Sequence, residues 1–390
     1  MVAPVFNALI GQDEVVVALE RAVAAAKNID VNGDAHGAMT HAWLFTGPPG
    51  SGRSNAAIAF ATALVCVEGG CAECNSCRTS LRGSNPDVEL IRTEGLSIKV
   101  DEVRELVSRS AWAPSNGRHR VVVIEDADRL TETAANALLN AIEEPGSYTV
   151  WLLCAPSLGD LLPTIRSRCR HLQLRTPPTS AITKMLVEVD GIDELMANHA
   201  ARASQGHVGR ARRIATDEQA RRFRHQVLQL PLRLTDVGSC LSAAAELIAA
   251  SQEESAREIA PKDEAELVAL QDAWGAGATG RGLASGASKA IKELEKDQKS
   301  RSTALNRAFL DRSLLDLASF YRDVLLLQTG ADVPLVNEDM EDEVSQLAES
   351  TSSEATIMRL DAIMAARRAL NFSVAPLLAL ESMLLSIRVG

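Results

Sequence analysis

Short uninterrupted apolar runs punctuate the first half of the chain, and amphipathic stretches fill the intervals. Ala42-Trp43-Leu44-Phe45-Thr46, Val121-Val122-Val123-Ile124, Thr149-Val150-Trp151-Leu152-Leu153-Cys154 and the shorter His171-Leu172-Gln173-Leu174 read as strands. A run that is apolar at successive positions has both faces buried, as inside a parallel sheet. Asn55–Val67, Asp101–Ser110 and the Ala/Leu-rich Thr133–Glu144, closed by Pro145-Gly146, read as helices. Strands alternating with helices predict a parallel sheet covered on both sides. The pattern changes at the breaker Thr176-Pro177-Pro178-Thr179, beyond which helical periods continue to about Ala215 with no strand. Further helices follow at Gln219–Gln229, Val237–Ala250, Lys289–Leu327 and Ala355–Leu370. Gly275–Gly286 holds five glycines in twelve residues and is expected to be a flexible loop. Glu338–Glu354 is acidic and Ser-rich, with room for a helix in its middle.

Composition sets limits on this picture. With 390 residues, 46% of them apolar, the chain has material for two or three domains with real cores. Aromatics are only 3%, so those cores must be built from Ala, Leu, Val and Ile, which suits helices. A formal charge of −11 argues against a protein that coats nucleic acid, though it permits a local basic patch. The opening MVAPVFNALIGQ lacks the basic-then-apolar pattern of a secretory signal, and no run of 18 apolar residues occurs. A cytoplasmic protein with no membrane span is expected.

Three clusters carry chemistry. Gly47-Pro48-Pro49-Gly50-Ser51-Gly52-Arg53-Ser54 has phosphate-loop spacing between a predicted strand and a predicted helix. Its glycines would let backbone N–H groups converge on phosphate at a helix N-terminus, and Ser54 would hold Mg²⁺. Arg53 replaces the usual lysine and brings a larger, planar head group, so the loop shape is expected to survive with hydrolysis weakened or lost. A plain Gly/Pro turn is the alternative. Val121–Ile124 ends in Glu125-Asp126, where a carboxylate pair would bind Mg²⁺ and polarise water, but the order is reversed from Asp-Glu. Solvated acids closing a buried strand are the alternative there. Cys66, Cys71, Cys74 and Cys77 follow the spacing C-x4-C-x2-C-x2-C, which fits a closed four-thiolate zinc site of structural type better than unliganded thiols. The remaining cysteines, Cys154, Cys169 and Cys240, are expected to be ordinary buried thiols.

Taken together these residues resemble the AAA+ clamp-loader family of bacterial DNA polymerase III. Phe6-Asn7-Ala8-Leu9-Ile10-Gly11-Gln12 is similar to the family's N-terminal box, and His41–Gly47 to the strand entering its phosphate loop. The four-cysteine knuckle, Ala134–Leu139 with Glu143-Glu144-Pro145, and Ser167-Arg168-Cys169 continue the match in order, over about residues 4–215. The resemblance implies an α/β AAA+ P-loop domain at 1–178 with an inserted zinc knuckle at 66–77. A small helical lid would occupy 179–216, and an all-α collar 217–390 with a flexible insertion around 252–288. It further implies that Arg168 is an arginine finger reaching a neighbouring subunit's ATP. A surface arginine paired with a local acid is the alternative.

Arg53, Glu125-Asp126 and Gly209, which falls at the family's nucleotide-sensing position, all depart from the motor pattern, whereas Arg168 is intact. That asymmetry is similar to the delta-prime type of subunit, a stator that serves its neighbour without hydrolysing ATP. A motor subunit of the tau/gamma type is the runner-up. The implied partners are motor subunits and a delta subunit in a hetero-pentameric ring, with the sliding clamp met weakly or indirectly and primed DNA inside the complex. Whether ATP or ADP with Mg²⁺ enters the loop stays open. Seven arginines between Arg202 and Arg224, and the helix start at Ser97-Ile98-Lys99, are candidate phosphate contacts. For the arginines, a solvated or interface-facing helix is the simpler reading, and for Ser97–Lys99 an ordinary cap.

Overall fold

The computed structural model describes residues 2–32, 38–92, 97–115, 118–273, 285–371 and 374–389. Two units divide the chain, Met1–Ala215 and Thr216–Gly390.

In the first unit, β1 (Ala42–Thr46), β2 (Val88–Ile91), β3 (Arg120–Ile124), β4 (Thr149–Ala155) and β5 (Arg170–Gln173) form a five-stranded parallel sheet ordered β2-β3-β4-β1-β5. Alternating side chains feed two separate cores. Trp43, Phe45, Val121, Val123, Leu152 and Cys154 point to one face, packed by α1 (Asp13–Asn32) and α2 (Arg53–Val65). Leu44, Val122, Ile124, Trp151 and Leu153 point to the other, packed by α4 (Val100–Ser110) and α5 (Glu132–Glu143). The short α3 (Asn75–Leu81) follows the cysteine cluster, and α6 (Pro163–Arg166) precedes β5. The apolar runs do not reveal β2. It is an edge strand in which only Val88 is fully buried, and its Glu89 binds Arg109 and Arg120. An edge needs only a partly apolar sequence.

Three short helices, α7 (Thr179–Glu188), α8 (Glu194–Ala203) and α9 (Val208–Thr216), close the unit around Ile182, Leu186, Ala197, Ala200, Ala201 and Ile214. The alanines let these helices approach closely.

The second unit is helical: α10 (Glu218–Arg233), α11 (Val237–Ala273), α12 (Ser285–Thr329), α13 (Glu341–Ser350), α14 (Ser353–Asn371) and α15 (Pro376–Val389). Leu228, Leu310, Leu314, Leu317, Phe320, Tyr321, Ile363 and Leu384 form its core. The insertion expected to be flexible around 252–288 is instead helical over 252–273 and again from 285, while 274–284 lie outside the described residues. Ion pairs hold this stretch where apolar contacts are few: Lys262 with Glu266 four residues on, and Arg301 of α12 with Asp263 and Glu266 of α11.

A buried polar network fixes the connection between α12 and α13. Asp323, fully buried, accepts hydrogen bonds from the Val336 and Asn337 backbone N–H groups, from Asn337 Nδ2 at 2.8 Å and from Arg322. Arg224 lies 3.3 Å from Asp316 and also donates to Asn337. Asp323→Ala would strand these donors without water, so denaturant unfolding should show a loss of about 3–5 kcal/mol, the cost of breaking a buried ionic network. A loss below about 1 kcal/mol would show that the network does not hold the connection.

Candidate nucleotide and metal sites

The Gly47–Ser54 loop leaves the carboxyl end of β1 and turns directly into α2, which places it where open α/β sheets bind ligands. Gly50 and Gly52 adopt φ of +86° and +91°, which only glycine adopts without strain. The loop lines a cavity of about 350 Å³ together with Ala8, Leu9 and Ile10, Pro177, His207 and Gly209. That volume lies at the low end for ligand pockets. The Ser51 hydroxyl is buried there without a hydrogen-bond partner, and Ser54 faces the same cavity. Gln12 ties the parts together: its amide donates to the carbonyls of Arg175 at 2.6 Å and Ser51 at 3.3 Å, and it accepts from the Arg175 N–H.

Each departure from the motor pattern has a structural counterpart. The Arg53 guanidinium turns back and donates to the carbonyl of Gly47, closing the loop on itself. Glu125 is held by Arg92 at 3.0 Å, and burial raises its carboxyl above the usual range against the pull of Arg92. Burial also raises Asp128, with the nearby Arg53 charge opposing. Burial pushes the Cys154 thiol up, and the charges of Glu125 and Asp126 add to the rise while Arg53 opposes it. Gly209 lines the cavity and offers no side chain to it. His207 sits against the loop instead, and a methyl group on Gly50 would come within 2.6 Å of its Cβ. Arg92 and Asp128 were not readable as site residues: Arg92 follows the edge strand that the apolar pattern conceals, and Asp128 lies just past the acidic pair.

Arg168 lies elsewhere, in the turn between α6 and β5. Its guanidinium contacts Glu143 at 2.5 Å, the Thr164 carbonyl at 3.0 Å and the Ser167 hydroxyl at 3.2 Å, and its side chain remains 41% exposed. The basic stretch further on is largely engaged within the chain. Arg212 pairs with Asp190, Arg222 with Glu218, and Arg224 is buried against Asp316. At the start of α4, Ile98 bridges to Leu130 and Lys99 occupies the cap position without a side-chain bond.

The four cysteines converge, with all Sγ atoms within 4.8 Å of one another. Cys66 lies 3.8 Å from Cys71 and 3.7 Å from Cys74, and Cys71 lies 3.9 Å from Cys77. A tetrahedron with metal–sulfur bonds of about 2.3 Å has edges of about 3.8 Å, so the donor set fits a four-thiolate metal site. The Cys74 and Cys77 amides donate to the Cys71 and Cys74 sulfurs, each at 3.4 Å. Burial pushes the Cys66 thiol up, but the Cys71 and Gly70 amides together with the Cys77 and Cys74 thiols outweigh it and bring it down to about 6, while burial and the Cys66 and Cys74 thiols push Cys77 up. Gly69 and Gly70 turn the knuckle at positive φ, and the Gly70 carbonyl accepts the Val5 N–H.

Two family matches cover most of this architecture. The family described as DNA polymerase III, delta subunit, matches residues 25–178, and that described as DNA polymerase III, delta subunit, C terminal, matches residues 289–388. DNA polymerase III subunit delta' of Bacillus subtilis (strain 168) is 33% identical over 195 residues, which are 49% of this chain and 59% of that protein. The delta' subunit of Haemophilus influenzae is 40% identical over 141 residues, 35% of this chain and 43% of that one. Subunit gamma/tau of Mycobacterium bovis is 30% identical over 189 residues, 47% of this chain and 31% of that protein. The chain thus spans roughly a third to three fifths of these relatives' lengths. A gamma subunit-related protein from Thermotoga maritima overlays 94% of this chain and 99% of its own, with a TM-score of 0.42 and 16% identity.

The contact between His207 and the loop generates a prediction. Gly50→Ala forces a methyl group into His207, whereas Gly52→Ala, at nearly the same φ, meets nothing within 4 Å. Both variants should be destabilised by the roughly 1–2 kcal/mol that left-handed backbone costs a residue with a side chain, and Gly50→Ala should lose measurably more in denaturant unfolding. Adding His207→Ala to Gly50→Ala should not recover the difference, because the Cβ and Cα at position 207 stay within 2.8 Å of the new methyl group. Equal losses in the two single variants would contradict the packing of His207 on the loop.

Proposed function

Since the chain belongs to the DNA polymerase III clamp-loader family, we propose that it acts in the loader as a non-hydrolysing, stator-like subunit of the delta-prime type. Its task is to help place the sliding clamp on primed DNA in the cytoplasm. No described helix is long and apolar enough to cross a membrane. Its neighbours are motor subunits and a delta subunit in a hetero-pentameric ring, with the helical unit after Thr216 as the collar. Arg168 supplies its guanidinium to the ATP held by an adjacent motor subunit and neutralises charge developing on the transferred phosphoryl group.

The observation that carries this reading is a contrast between two arginines. Arg53 is tied to the carbonyl of its own loop, and Glu125 behind it is tied to Arg92, so the chain's own phosphate site is turned inward. Arg168, though paired with Glu143 at the surface, stands 41% exposed on the turn between α6 and β5. Such a finger is worth about 10³–10⁵ in rate at the site it serves. Similarity to gamma/tau subunits, and a serine at position 54 on the first turn of α2, favour the alternative of an ATP-hydrolysing motor.

The four cysteines are proposed to hold one Zn²⁺. With all four ligands thiolates, no position is open for a reacting group, so the ion's role is structural. It holds Val5 and the N-terminal box against the knuckle, and the same box supplies Ala8, Leu9 and Ile10 to the cavity wall.

Two measurements test these statements. In a reconstituted loader, Arg168→Ala should lower ATP turnover by the share of the one site it serves, with assembly retained on gel filtration. Turnover at the wild-type level would remove the finger assignment. Metal analysis of the purified chain should find about one zinc per chain, and Cys71→Ser with Cys74→Ser should abolish it and lower Tm. A chain that purifies with no metal and keeps its Tm in chelator would contradict the zinc proposal.

A further inference from the structure

Resting on the reading of Arg168 as a finger, we propose that Glu143 is a positioning residue for it: the carboxylate holds the guanidinium until a triphosphate in the neighbouring site takes it over. Glu143 is the last residue of α5, whose register is fixed by the Thr131 cap on Ala134 and by buried Leu138 and Ile142. The carboxylate therefore stands on a rigid base. It meets Arg168 Nη2 at 2.5 Å, while Thr164 and Ser167 occupy Nη1, so both terminal nitrogens of the guanidinium are engaged within the chain. The pair is half exposed, at 41% and 44%, and such pairs are weak. A weak hold is what an exchange requires. A single carboxylate oxygen gives way to the more highly charged terminal phosphate of a triphosphate, and the bidentate preference of arginine favours phosphate. A diphosphate presents no such group at that distance, and Arg168 stays with Glu143. The carboxylate thus keeps the guanidinium in place while no triphosphate is present, at a small cost in affinity for the triphosphate.

The test uses the assembled loader carrying Glu143→Gln, which keeps the side chain's shape and removes its charge. Affinity for a non-hydrolysable ATP analogue should rise about two- to fivefold, the range an exposed ion pair commands. Affinity for ADP should stay unchanged, kcat for ATP should stay unchanged, and KM should fall. In the Arg168→Ala background the same substitution should do nothing. Equal effects on both nucleotides, an effect that persists without Arg168, a fall in kcat or no change at all would each overturn the proposal. If Arg168→Ala alone leaves ATP turnover untouched, it is the finger reading that fails. If Arg168→Ala lowers turnover and Glu143→Gln leaves the ATP to ADP affinity ratio unaltered, only the role of Glu143 is lost.

Discussion

The hydrogen bond from the Arg53 guanidinium to the Gly47 carbonyl is the contact on which the proposed division of labour depends. A lysine at that position would carry a compact ammonium on a flexible stem and could reach out to phosphate. The arginine fork finds its acceptor inside the loop it belongs to. Once that bond forms, the loop keeps its glycine geometry and its place on the sheet, but its one cation serves the protein's own backbone. Glu125 is likewise taken up by Arg92, and position 209 offers the cavity only a glycine.

The scaffold around that loop is nonetheless built firmly. Gln12 joins the N-terminal box, the loop and the exit from β5 through three hydrogen bonds. The box is itself braced by the cysteine knuckle, where Val5 binds the Gly70 carbonyl and a side chain on Gly70 would collide with Val5. Metal at the knuckle would therefore act on the cavity from a distance, through packing of the first residues. On the proposed reading the loop turns over no nucleotide, yet the sheet that carries it also orients the turn bearing Arg168. Trp43 against Phe60, edge to face at 5.0 Å, anchors β1 to α2 on one side, while β5 leads directly from the arginine turn into the same sheet.

Much of this was legible in residue order. Continuous apolar runs announced β1, β3 and β4 because those strands are buried on both faces, and the Thr176–Thr179 breaker marked the end of the sheet. The cysteine spacing announced a cluster because four thiols within one knuckle have few other arrangements. Edge strand β2 stayed hidden, since its Glu89 serves two arginines instead of a core. Helices at Val237–Ala250 and Lys289–Leu327 are legible, but the extension of α11 through 252–273 is not, because Asp263 and Glu266 there are held by Arg301 through ion pairs, which leave no apolar periodicity. The partners of Arg53, Glu125 and Arg168 were beyond sequence reasoning. A charged side chain's identity fixes what it can bind, and only the fold decides which acceptor stands within reach.

The central claim is that this chain has the architecture of an ATPase without its turnover. The most direct test is steady-state ATP hydrolysis by the purified chain alone with Mg²⁺. The account predicts no rate above a buffer control. Hydrolysis that requires Mg²⁺ and disappears in Ser54→Ala would contradict it and make the chain a motor.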